Sequence, residues 1–111
     1  MKIVINTCYG GFGLSDKAIL RYAELKRIIL YRHLSENHFY NSPDFTEETY
    51  FSLYDIPRDS VELVQAVEEL KEESNGGFSK LKVVEVPDDV DWTIEEYDGL
   101  EWVAEVHRTW S

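Results

Sequence analysis

Apolar residues fall along this chain in short runs separated by polar or glycine-rich stretches, and the spacing within each run predicts its local structure. Ile3-Val4-Ile5 is a β-branched run closed by Asn6 and followed by glycines, which predicts a buried first strand. Ala18, Ile19, Tyr22 and Ala23 recur at helical spacing. Ser15 is placed as an N-cap, Asp16 suits the first turn, and the helix is expected to end near Lys26-Arg27. Ile28-Ile29-Leu30-Tyr31 predicts a second strand, residues 32 to 48 a loop, and Tyr50-Phe51-Ser52-Leu53-Tyr54 a third strand. Leu63, Val64, Val67 and Leu70 form the stripe of a second helix. Asp59 and Glu62 make a box-like pair at its start, and Asn75-Gly76-Gly77 a left-handed cap at its end. Leu81 to Val86 predicts a strand stopped by Pro87. Trp92–Tyr97 and Leu100–Val106 flank Asp98-Gly99, a type I′ hairpin signal.

The resulting order is β-α-β-β-α-β-β-β. It predicts an α/β chain (α+β being the alternative): a single mixed sheet of five or six strands, two main helices and a C-terminal hairpin. Residues 1–111 read as one domain, with no internal repeat, low-complexity tract or linker.

Charge changes this picture more than composition does. Hydrophobic residues make up 43% of the chain and aromatics 14%, enough for a packed core. Twenty-two Asp and Glu face eleven Lys and Arg, for a formal charge of −11. That balance disfavours direct nucleic-acid binding and anionic membranes and favours basic partners. No apolar run reaches transmembrane length and no signal peptide is evident. With Cys8 as the one cysteine, a reducing cytoplasm is the expected location.

The candidate chemistry lies at the two ends of the chain. A strand that feeds Thr7-Cys8-Tyr9-Gly10-Gly11-Phe12-Gly13 and then a helix can aim backbone N–H groups at a phosphate. This makes Thr7, Tyr9, Gly10, Gly11, Phe12, Gly13 and Ser15 candidate ligand-binding residues, joined by Arg108. The spacing is neither the dinucleotide fingerprint nor the Walker loop, and a purely structural tight turn is the competing reading. From Val83 to His107 there is no Lys or Arg, but there are nine carboxylates. A two-residue turn at Asp98-Gly99 pairs Glu96 with Glu101. Like charges placed opposite each other belong in water or against a cation. Glu95, Glu96, Glu101 and Glu105 are therefore candidates for binding a basic protein. The same hairpin has apolar residues on both faces: Tyr97, Leu100, Trp102, Ala104 and Val106 on one, Trp92, Ile94 and Val103 on the other. Either other elements cover both faces or an aromatic surface awaits a partner.

Signals for catalysis are thin. Cys8 is a candidate nucleophile at a helix N-terminus, or a small buried hydrophobe. His33, His38 and His107 have no metal-ligand spacing with it, so no metal or cofactor is expected. Arg108 and Trp110 suit phosphate and base contacts, or an ion pair and core closure.

Val4 to Ser15, Asp55-Ile56-Pro57-Arg58, Val83 to Trp92 and Glu96 through Trp110 together resemble a family of small, uncharacterised proteins of bacteriophage and prophage genomes. The middle of the chain, Tyr31 to Thr49, resembles it least. The resemblance implies a phage accessory context, in the host cytoplasm, and nothing sharper; small phage accessory proteins often counter host defence, which needs no turnover. Two routes suit it: sequestering a small phosphorylated nucleotide at the glycine loop, or blocking a basic host protein with the acidic hairpin. A small enzyme using Cys8 is the third reading. A homodimer is left open.

Overall fold

The computed structural model describes residues 1–33 and 38–106. In chain order the elements are β1 (Lys2–Asn6), α1 (Asp16–Lys26), β2 (Tyr31–His33), β3 (His38–Tyr40), α2 (Val61–Leu70), β4 (Leu81–Glu85), β5 (Trp92–Tyr97) and β6 (Leu100–Glu105). Short 3-10 turns at Glu47–Thr49, Leu53–Asp55 and Lys71–Ser74 complete the framework. No helix among the described residues is long and apolar enough to cross a membrane.

The expected element order holds, but the single mixed sheet does not. The strands form three separate antiparallel pairs, β1–β4, β2–β3 and β5–β6. The reason lies along the free edge of β1. The Val4 amide donates to the Arg58 carbonyl at 2.9 Å, and the Asn6 amide donates to Glu101 Oε1 at 2.8 Å. A turn carbonyl and a carboxylate take the bonds that a third strand would have made, so pairing stops at two strands.

Two predicted strands are displaced. The second is Tyr31–His33 rather than Ile28–Tyr31. The segment 50–54 holds only an isolated bridge, Tyr50 to Tyr40, before turning as 3-10 helix. The third strand is His38–Tyr40, inside the stretch read as loop. An apolar run of four fixes neither the conformation nor the burial of every member, Ile29 being 72% exposed. Ile28 and Leu30 do pack on the core, from a connecting segment.

The helix ends follow local chemistry. Ser15 Oγ accepts from the Ala18 amide at 3.1 Å, and Arg27 closes α1 in the left-handed region at φ 61°. Helix α2 is capped by Ser60, whose Oγ accepts from the Leu63 amide at 3.3 Å, not by Asp59. It ends at Leu70, with Lys71 at φ 54°, several residues before Asn75-Gly76-Gly77.

Helix α2 lies against both strands of the β1–β4 pair, and α1 packs against α2. Val4, Leu14, Ala18, Ile19, Tyr22, Leu63, Val64 and Val67 are buried in one cluster with Phe12, Phe39 and Ile56. Arg21 crosses from α1 to α2, its Nε 2.7 Å from Glu69 Oε2 and its Nη2 3.1 Å from Oε1. Together with a hydrogen bond from Gln65, this holds the Glu69 carboxyl at about 2, below its ordinary 4.5.

Candidate functional site at the joined loops

One end of the molecule is built from three loops that the sequence keeps far apart: residues 7–13, residues 75–80 and the hairpin turn at Asp98-Gly99. Their junction is the Asn6 side chain, which has no solvent exposure. Its Nδ2 donates to the Cys8 and Gly99 carbonyls, each at 2.7 Å. Its Oδ1 accepts from the Lys80 amide at 2.9 Å and the Cys8 amide at 3.3 Å. All four hydrogen-bonding positions of the amide are used, one or more on each loop. Sequence reading treated Asn6 as the end of a strand and missed this role. The available signal was a polar residue directly following a fully buried run.

Glycines let the backbones close on this junction. Gly99 sits at φ +88°, and a Cβ there would overlap the Gly11 amide nitrogen. Asp98 is also at positive φ, 52°, which completes the expected type I′ geometry. The paired register is as predicted, with Glu96 opposite Glu101 and Tyr97 opposite Leu100.

The candidate ligand-binding loop is largely committed to these internal bonds. The Thr7 amide and hydroxyl both donate to the Lys80 carbonyl, at 2.7 and 2.9 Å. The Gly10 amide donates to the Asp98 carbonyl at 3.1 Å, and the Ser15 amide to the Ser74 carbonyl at 2.9 Å. The Gly13 carbonyl accepts from Gly76 and from Ser79 Oγ. Ser15 Oγ, besides capping α1, donates to the Glu73 carbonyl. Phe12 is buried beneath a guanidinium. Tyr9 alone of this group projects a side chain into solvent, 61% exposed. Arg108, with His107 and Trp110, lies outside the described residues.

That guanidinium belongs to Arg58, in the turn before α2. It lies 3.6 Å from the Phe12 ring centroid and forms a two-pronged bridge to Glu101, Nη1–Oε1 at 2.6 Å and Nη2–Oε2 at 2.8 Å. The Glu101 side chain retains 9% of its exposure. Glu101 therefore differs from its three companions in the acidic set. It is a structural anion, and of the two alternatives its pairing with Glu96 allowed, water or a cation, it meets the cation Arg58. Glu96 instead accepts from the Gly99 amide at 3.0 Å and stays exposed, as do Glu95 and Glu105. Among the described residues, Glu95, Glu96, Asp98 and Glu105 form no ion pair.

The two hairpin faces have different fates. Trp92, Ile94 and Val103 are half-buried on the face that carries Glu101 and the Arg58 bridge. The opposite face is open. Tyr97 is 68% exposed and Trp102 42%, with Val106 exposed on the same side and Glu95 directly across from Trp102. At the tip, Gly10 packs on Phe78, itself 80% exposed. The bond from Gly10 to Asp98 brings Tyr9, Phe78 and Tyr97 onto one rim. Large aromatics presented on fixed backbone, flanked by carboxylates, have the composition of an interaction surface.

Cys8 is half-buried, its Sγ 3.3 Å from the Tyr9 carbonyl. His33 stacks edge-on to Phe45, and His38 bonds the Tyr50 hydroxyl at 3.2 Å. No cluster of three metal-ligating side chains occurs among the described residues. Comparison with protein-family models, curated proteins and solved structures returned no match.

Proposed function

We propose that this chain is a binding module whose acidic, aromatic hairpin docks a basic segment of another protein. The observation that carries this is the open hairpin face: Tyr97, Trp102 and Val106 exposed beside Glu95, on a stretch from Val83 to Val106 with no Lys or Arg. Aromatic rings supply contact area at low entropic cost, and the unpaired carboxylates steer and orient a cationic partner. The basic-protein reading stands above the nucleotide reading because the amides of Thr7, Cys8, Gly10 and Ser15 are spent on internal bonds, whereas a phosphate needs them free and convergent. The resemblance to small phage proteins supplies a setting in which occupancy alone, without turnover, disables a host target.

The test is a fluorescence titration of Trp102 with a lysine- and arginine-rich peptide that carries interspersed apolar residues. Because the chain has two other tryptophans, Trp92 and Trp110, the titration is run on a variant with both replaced by phenylalanine. Raising salt from about 0.05 M to about 0.5 M shortens the Debye length from roughly 14 Å to roughly 4 Å. Binding should weaken steeply over that range and be lost when Glu95, on the open face, is changed to lysine, with smaller losses for Glu96 and Glu105 on the other face. Equal binding of an acidic peptide, or binding indifferent to salt and to those changes, would refute the reading.

A further inference from the structure

A hollow remote in sequence from the hairpin opens between the start of α1, β3 and the segment 50–54, with a volume of about 390 Å³. That is within the usual range of small-ligand sites. Its wall is mostly rings: His38, Phe39, Tyr50, Phe51 and Tyr54, with Asp16 as the one carboxylate. The rings are fixed from behind. The Phe51 amide donates to the Phe39 carbonyl at 2.9 Å, Tyr50 bridges to Tyr40, and His38 Nδ1 lies 3.2 Å from the Tyr50 hydroxyl. Tyr54 stands at the mouth, 75% exposed.

Aromatic faces carry negative potential, so a ring-lined hollow with a carboxylate attracts cations and repels anions. The molecule already uses this chemistry at the edge of the hollow. Arg32 donates to Asp16 Oδ2 at 2.8 Å, and its guanidinium carbon is 5.6 Å from the Phe39 ring centroid. The net charge of −11 biases the site the same way. Asp16 Oδ1 makes no hydrogen bond among the described residues.

From these observations we infer that the hollow binding between Asp16, Tyr50 and Tyr54 is selective for an organic cation of the alkylated ammonium type. An alkylated ammonium fits better than a bare one, because its methyl groups contact the rings while its charge needs no hydrogen-bond acceptor. This inference is independent of the hairpin reading.

The experiment compares choline with its neutral isostere 3,3-dimethylbutan-1-ol, and a trimethyl-lysine peptide with its leucine counterpart, by NMR titration of the intact chain. Choline should bind about tenfold more tightly than the isostere. Tyr54→Ala should cost about tenfold. Because Tyr54 is so exposed, that variant should keep the wild-type fold, verified by an unchanged thermal midpoint. Tyr50→Phe, which keeps the ring, should retain binding. Selective binding of choline alone would support a free small ligand, and tighter binding of the methylated peptide a protein-borne one. Equal affinity for the neutral isostere, indifference to Tyr54→Ala, or no binding of either cation at millimolar concentration would overturn the inference.

Discussion

Replacing Asn6 by alanine removes four hydrogen bonds from a side chain with no solvent exposure and strands their partners. The Cys8 and Gly99 carbonyls lose their donor, and the Lys80 and Cys8 amides lose their acceptor. An unsatisfied buried polar group costs about 1–3 kcal/mol. Water reaching the loops from outside relieves part of that, so a net loss of about 3–4 kcal/mol is expected. A domain of this size has roughly 5–15 kcal/mol of total stability, and loses about 4 °C of midpoint per kcal/mol. The variant should therefore fold, with a midpoint lower by about 12–16 °C. Hydrogen exchange adds a local readout, because the Thr7, Gly10 and Lys80 amides depend on the joined loops while the α1 amides do not. They should lose protection first. A fall of less than about 4 °C, with protection unchanged at those amides, would refute the claim that Asn6 joins the loops.

Three further outcomes follow from the same geometry. Glu101→Gln breaks a buried two-pronged bridge and leaves Arg58 uncompensated, so urea unfolding should show a loss of about 3–5 kcal/mol, whereas Glu105→Gln, on an exposed carboxylate, should change stability by less than about 0.5 kcal/mol. Gly99→Ala should cost more than about 1 kcal/mol by thermal denaturation, since a Cβ there strains a positive φ and overlaps the Gly11 amide. Glu69 has a depressed carboxyl, so its contribution is present above its ordinary value of 4.5 and disappears as pH falls through about 2. The stability gap between wild type and Glu69→Gln, followed by urea titration, should narrow across that window.

What the sequence made legible was local. Ser15 as a cap, the end of α1, and the Asp98-Gly99 turn with its register all depend on neighbours a few residues apart, and each has a compact signature. Pairing the like-charged Glu96 and Glu101 left water or a cation as the alternatives, and could not name the cation that Glu101 meets. Arg58 lies 43 positions from Glu101, and nothing in its own neighbourhood marks it. The displaced strands failed for a related reason. Ile28 and Leu30 in one run, and Phe51 and Leu53 in the other, pack against the core, and such coverage does not require a strand. Ser60 displaced Asp59 as a cap because either residue suits the position and only the chain path decides. The single sheet failed at the free edge of β1, where a carbonyl and a carboxylate from distant turns replace a neighbouring strand. In the glycine loop, Gly10 lies close against Phe78, and the Gly11 backbone is the surface on which Gly99 closes.

The most direct test of the binding account is a residue-resolved NMR map of the chain as a lysine- and arginine-rich peptide is added. The largest amide and indole shifts should cluster on the open hairpin face and its rim, at Tyr97, Trp102, Val106, Phe78 and Tyr9. They should disappear together at high salt. Small shifts spread evenly over all exposed carboxylates, or shifts centred on α2, would contradict it.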